Sequence, residues 1–353
     1  MNDLFENGGA EYKKATPKDI VKFKRHGFYI KKGGNVFMKI KALILMMICS
    51  LLLLAGCGSS STAGNEKGQI VIGVSLQSFS DKFTTYIMQG MKEASSKNKN
   101  VKIIYVDAQN DSAKQLSQVE TFIEQGVNAI VVKPVDTEAM DPMLEQAKDA
   151  KIPLIGVNAL FKGVKKAASF VGSDSKEAGI LEMEAVAKLL NGKGNIAIMD
   201  GGLGHEAQIN RTAGYKEVIA KYPDMKIVSE ATAEWDRSKA MNLMENWLSS
   251  GRKIDAVVAN NDEMAIGAQN TIKAAGKQGQ IVVAGVDATP DALDYIKSGA
   301  LNVTVFQDAK GQGGMAIETA IKAAKGEKVE KLNWIPYQVV TKDNVDQFVQ
   351  KWK

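Results

Sequence analysis

Residues 256–268 read AVVANNDEMAIGA. The four small and β-branched residues Ala256–Ala259 have the length and composition of a fully buried strand. Asn260, Asn261 and Asp262 interrupt the apolar run, and a looser helical pattern follows through Ile266, Ile272 and Ala275. A strand that is apolar on both faces and passes through a short polar turn into a helix is half of a βαβ unit, and its sheet is parallel and covered on both sides. The polar triplet then stands at the carboxyl end of the strand, where open parallel sheets bind ligands. Taken alone, an Asn in this place is most often a turn residue or a helix cap.

The same unit recurs along the chain. Strands are expected at 70–76, 101–107, 129–133, 153–157, 195–200, 226–230, 256–259, 281–286 and 302–306, and amphipathic segments lie between most of them. Leu181, Ala185 and Leu189, for example, repeat at helical spacing. This is an α/β chain with too many units for one core. The units over 70–157 make one doubly wound parallel-sheet lobe and those over 195–306 a second. No Pro/Gly-rich linker divides them, which predicts several close strand crossings. A helix over 309–325 returns to the first lobe and the C-terminal tail to the second.

A different signal precedes the first strand. The apolar run from Ala42 to Gly56 follows Lys39 and Lys41 and ends at Cys57. It is short for a membrane span, which needs roughly 20 apolar residues, and has the form of a signal peptide's apolar region. Leu54-Ala55-Gly56-Cys57 resembles a bacterial lipobox, which implies cleavage before Cys57 and lipidation of its thiol. An uncleaved anchor is the alternative. Residues 38–56 are thus read as a lipoprotein signal peptide and 57–68 as the lipidated Cys and a Ser/Gly/Thr/Asn tether. Lys31-Lys32-Gly33-Gly34, with purine-rich codons, has the composition of a translated ribosome-binding site before Met38. Residues 1–37 are therefore either not made or a disordered extension.

The leader also accounts for the chain's basic balance. The whole sequence has 45 Lys+Arg and 40 Asp+Glu, but residues 1–56 hold 10 basic and 4 acidic side chains, leaving 35 against 36. A near-neutral domain gives no electrostatic reason to bind nucleic acid. The two cysteines are Cys49, inside the leader, and Cys57, so the domain has no internal disulfide. His205 is its one histidine, and neither a Cys/His metal cluster nor a His-based triad can be assembled.

The residues that follow the strands carry the functional argument. They include Asp81 and Phe83, then Lys133 and Asp136, then Asn158. Further along come Gly202, Gly204, His205 and Arg211, then Trp235, Asn261, Asp287 and Gln307. Carboxylates accept, amides do both, and Arg donates through a fixed fork, so vicinal hydroxyls can be held in pairs. Aromatic faces cover the C–H surface of a ring. The mixture suits a polyhydroxylated ligand, and each unpaired buried group in a wrong epimer costs about 1–3 kcal/mol.

Residues 69–345 resemble the sugar-binding proteins of bacterial ABC importers, nearest the galactose/glucose- and ribose-binding group. The matching stretches are IGVSLQSFSDKF (72–83), VDAQND (106–111), VGSDSKEAG (171–179), AEWDRSKA (233–240), ANNDEMAIGA (259–268), GVDATPDAL (285–293) and FQDAKGQG (306–313). The resemblance implies the type I periplasmic binding protein fold, with three hinge crossings near 156–158, 307–309 and 333–335. The lobes would be 69–156 plus 309–333 and 159–306 plus 336–353. It also implies a ligand cleft lined by Asp81, Phe83, Asn158, Arg211, Trp235, Asn261, Asp287 and Gln307, with the ring between Phe83 and Trp235. The expected protein is a monomer on the outer face of the cell membrane, held by its lipid. It passes a monosaccharide or polyol to an ABC permease, with no cofactor and no catalysis.

Three departures bear on the ligand. Lys133 stands where the family usually has Asn, so it either alters the hydroxyl pattern or pairs with Asp136 or another carboxylate. Ala207 stands where galactose-binding relatives carry an acidic residue. GGLGHEAQINRT (201–212) is similar to relatives that bind inositol or other polyols. The segment LLNGKGNI (189–196) lacks the carboxylates with which some relatives hold calcium, so no metal is expected.

Other readings are weaker. GLGHEA (202–207) fits a dinucleotide-binding turn, with Glu230 as ribose acceptor. A repressor's effector domain would need an N-terminal DNA-binding module for which 11–32 is too short. A sensor that docks on a chemoreceptor or kinase shares every feature above.

Overall fold

All nine expected strand segments are strands in the computed structural model, which describes residues 68–352. The leader, Cys57 and most of the tether lie outside the described residues. The first lobe begins β1 (Ile70–Leu76), α1 (Lys82–Ser96), β2 (Val101–Asp107), α2 (Ser112–Glu124), β3 (Ala129–Val132), α3 (Asp141–Asp149), β4 (Leu154–Asn158) and β5 (Ser169–Gly172). The second runs α4 (Ser175–Leu189), β6 (Lys193–Asp200), α5 (Glu206–Ile219), β7 (Asp224–Thr232), α6 (Arg237–Ser249), β8 (Ala256–Ala259), α7 (Asp262–Ala274), β9 (Val282–Asp287), α8 (Pro290–Ser298) and β10 (Val303–Phe306). The chain returns through α9 (Ala309–Ala324) and β11 (Leu332–Trp334) and ends in β12 (Gln338–Val340) and α10 (Val345–Lys351).

Each lobe is one six-stranded sheet, ordered β11-β5-β4-β3-β1-β2 and β12-β10-β9-β8-β6-β7. All pairings are parallel except β10 with β12. The central β3 (AIVV) and β8 (AVVA) are buried at every position because helices cover both faces. In the first lobe α1 and α9 share one apolar layer, and the other face carries Phe122, Met143 and Leu144. The second lobe repeats the plan, with Met244, Ile272 and Leu293 on one face and Met183, Tyr215 and Val218 on the other.

One boundary differs from the sequence expectation. β5 pairs with β4 and β11, so the chain stays in the first lobe through Gly172 and does not cross at 156–158. The segment between β4 and β5 holds only a 3-10 turn at Val164–Lys166, so it lacks the helical periodicity that marks a further βα unit. The other crossings fall at 307–308, between β10 and α9, and at 335–337, between β11 and β12.

The caps bring side chains to the carboxyl edges. Asp81, His205, Asn261 and Thr289 each cap the helix after their strand by accepting a backbone N–H. Gly179 lets α4 lie against α5, since a Cβ there would sit 2.1 Å from Arg211 O. That close approach fixes the backbone from which Arg211 reaches the cleft.

Candidate functional site

The eight side chains of the expected cleft and Lys133, nine in all, line one cavity between the lobes, whereas Asp136, Gly202 and Gly204 do not. Asp81, Phe83, Lys133 and Asn158 come from the first lobe, Arg211, Trp235, Asn261 and Asp287 from the second, and Gln307 from a crossing segment. The empty space between the walls is about 420 Å3 with the open solvent at its mouth included.

Two charge couples organise it. Lys133 Nζ lies 3.9 Å from Asp81 Oδ1, and Arg211 Nη1 lies 3.9 Å from Asp287 Oδ1. Both separations are too long for a direct hydrogen bond. A hydroxyl could therefore donate to each carboxylate and accept from the facing cation. Burial lowers the Lys133 ammonium pKa, with Asp81 and Asp287 opposing the shift. Burial pushes the Asp287 carboxyl well above its usual range although Arg211 acts the other way. Of the carboxylate pairings expected for Lys133, the one formed is with another carboxylate, Asp81, and not with Asp136, and the ammonium also donates to Gln77 Oε1 at 2.7 Å.

Arg211 is held rigidly and still has donors to spare. Nη1 donates to Asn260 O at 2.5 Å, and Nη2 to Gln307 Oε1 at 2.9 Å and Tyr337 OH at 3.2 Å. Its Nε is buried and has no hydrogen-bond partner within the protein. Of its five N–H donors, Nε–H and one on Nη1 stay available.

The amides do double work. Asn261 Oδ1 accepts the Met264 N–H at 3.0 Å as a cap, leaving Nδ2 only a long 3.5 Å contact with Trp235 O. Asp81 Oδ1 caps Thr84 N at 2.6 Å, leaving Oδ2 open. Asn158 Nδ2 donates to Gln312 Oε1 at 2.9 Å, and Gln312 Nε2 to Ser173 Oγ at 3.0 Å, which ties together three segments near the hinge.

Three lining residues have a positive φ: Asn158 at 71°, Trp235 at 67° and Asp287 at 121°. Such conformations cost on the order of 1–3 kcal/mol each and gather at ligand sites, where surrounding structure enforces them. For Trp235 the enforcing contact is visible. Its indole lies on the backbone at Gly201 and Gly202, where a Cβ would come within 2.1 and 3.0 Å of the ring. Gly201 precedes GLGHEA and Gly202 opens it, whereas the motif's other glycine, Gly204, has a φ of 84° and open space around it. The motif does connect β6 to α5, but the indole covers Gly202, and Glu230 is engaged by Lys216 Nζ at 2.8 Å.

The cavity also includes Ala207, where galactose-binding relatives carry an acidic residue, His205, which was among the strand-end residues but not in the expected cleft, and Gln77, which the sequence reading missed. Gln77 directly follows β1, so the strand-end rule pointed to it. His205 Nδ1 accepts from Ala207 N at 3.2 Å, which leaves the ring proton on Nε2 as a donor. Burial, helped by Lys133 and Arg211, lowers its pKa to about 4, so the imidazole is neutral at physiological pH. Its ring packs edge-on to Trp235 with centroids 5.4 Å apart.

Comparison with known proteins agrees with this architecture. Residues 72–328 match the family model described as periplasmic binding protein domain. A crystal structure of an ABC transporter solute-binding protein from Bacillus halodurans C-125, with bound myo-inositol, superposes with a TM-score of 0.79. It is 52% identical and the match covers 82% of this chain and 100% of that one. A Rhizobium meliloti protein named for rhizopine binding is 44% identical over 297 residues, 82% of this chain and 95% of that protein. The xylitol-binding protein of Mycolicibacterium smegmatis is 39% identical over 313 residues, 88% of each.

Proposed function

Because the chain belongs to the periplasmic binding protein family, we propose that its cleft captures an uncharged cyclitol or closely related polyol, with myo-inositol the first candidate, for delivery to an ABC permease. The class is that of sugar- and polyol-binding solute receptors of ABC importers. The observation that carries the ligand reading is the pair of 3.9 Å gaps, Lys133–Asp81 and Arg211–Asp287. Each carboxylate already faces a cation, so the site does not call for a charged ligand, and one hydroxyl set to the side of each couple can meet both of its members. A ring with hydroxyls on every carbon can serve both couples and also meet Asn261, Asn158 and His205 Nε2. The bound myo-inositol of the 52% identical structure supports the same choice. The role of the nine residues as ligand contacts is part of this proposal, as is anchoring through lipid on Cys57 and action as a monomer. Among the described residues no helix is long and apolar enough to cross a membrane.

The test is a thermal-shift panel of inositols, linear alditols, aldohexoses and aldopentoses. A ligand that binds only the folded state raises Tm with concentration. Myo-inositol or another cyclitol should give the largest shift. A panel led by an aldohexose would replace the ligand class, and a flat panel would remove the reading.

A further inference from the structure

The inner cavity does not end at Trp235. Gln77, His205 and Trp235 also line a second and larger space, about 1170 Å3 with open solvent included. It is a groove between the loop after β3, with Asp136, Thr137 and Glu138, and the loop after β6, with Leu203. Asn110 and Glu234 complete its walls.

The groove does not reflect lobes standing apart. On the other face of the sheets the lobes already touch, with Lys82 Nζ 2.5 Å from Asp291 Oδ2 and the rings of Tyr86 and Trp352 centred 4.5 Å apart. One side of the cleft is therefore shut while the other stays wide. The walls of the open side are those of a polyol site. Asp136, Glu138 and Glu234 supply acceptors, the Trp235 ring is shared with the inner cavity, and Leu203 at the loop tip is 72% exposed. Two of the three carboxylates are already met by lysines, Glu138 by Lys162 at 3.4 Å and Glu234 by Lys239. The groove therefore suits hydroxyl donors better than a cation.

The geometry points to a two-part ligand site: a polyol ring in the inner cavity and a second hydroxylated ring, joined to it through oxygen, in the groove. The ligand class would then include glycosyl cyclitols as well as free rings. This inference rests on the polyol reading of the inner cavity.

Calorimetric titration of the purified full chain with myo-inositol and with an O-galactosyl-myo-inositol tests it. The galactosyl compound should bind at least as tightly as myo-inositol. Leu203→Glu and Glu138→Arg, both at exposed loop positions, should each weaken it by about tenfold. Both should leave myo-inositol within about twofold, as exposed substitutions outside the inner cavity should. If myo-inositol binds and the galactosyl compound does not, the groove is an entrance only and the inference falls while the inner-site reading stands. Equal weakening of both ligands would also overturn it. If neither ligand binds, and no free polyol does, both readings fail.

Discussion

Lys82 Nζ in the first lobe donates to Asp291 Oδ2 in the second at 2.5 Å, and Glu263 lies 3.5 Å from the same ammonium. Arg237 completes the cluster, donating to Glu263 at 2.8 and 2.9 Å and to Asp291 at 3.1 Å. These four side chains couple α1 to the start of α8 and so favour the closed arrangement, in which this side of the cleft is shut. They are partly exposed, so each pair is worth roughly 0.2–1 kcal/mol. Lys82→Ala should weaken ligand affinity by about two- to fivefold, because less of the protein rests in the closed state. High salt should weaken the wild type more than the variant, since the Debye length falls to about 3 Å at 1 M. Titrations at two ionic strengths check this. Equal salt sensitivity would show that the cluster does not take part in closure.

Trp235 lines the cavity and packs against the His205 ring, and in the proposed function it stacks on the ligand ring. Trp235→Ala should reduce affinity by about 2–3 kcal/mol, roughly 30- to 150-fold. The far-ultraviolet circular dichroism should be unchanged, because the side chain lies at the edge of its core cluster. Unchanged affinity would remove stacking from the account.

Lys133 is buried, donates to Gln77 and cannot accept. Lys133→Asn restores an acceptor and removes a charge. The variant should bind aldohexoses better than the wild type and lose affinity for the preferred ligand by about tenfold. A parallel loss for every ligand would mark Lys133 as structural only.

Glu182 is buried behind the site, accepts from Tyr215 OH at 2.5 Å, and is raised to about 8, first of all by burial. Its folded pKa exceeds the unfolded value, so the native state binds the extra proton. The stability this gives is complete at low pH and is lost as pH rises from about 4.5 to 8, at up to ~1.4 kcal/mol per pH unit. Glu182→Gln should remove this slope, so its advantage in Tm over the wild type should grow from pH 6 to pH 8.5. A difference between the two proteins that does not vary with pH would contradict the assignment.

Most of the fold is legible in the sequence because Val- and Ile-rich strands alternate with helices. β5 was not, since its four residues follow a loop and a short 3-10 turn. β11 and β12 were not, since each is three residues held mainly by main-chain pairing. The candidate site was legible through one topological rule, that ligands meet residues just beyond the strand ends. The positive φ of Trp235 and Asp287 was not, because Trp does not favour it and the 121° of Asp287 lies beyond the left-handed region in which Asp is enriched. His205 stood among the strand-end residues, but its place in the cavity depends on the Trp235 ring, a contact between residues thirty apart in sequence.

The most direct test of the account is calorimetric titration of myo-inositol into the wild type and Asp287→Asn. Asn keeps the shape of the side chain and tolerates the positive φ, but it replaces one carboxylate acceptor with a donor. The account predicts saturable one-to-one binding to the wild type and a loss of about 1–3 kcal/mol, roughly 5- to 150-fold, in the variant at similar Tm. No binding to the wild type, or equal affinity in the two proteins, would contradict it.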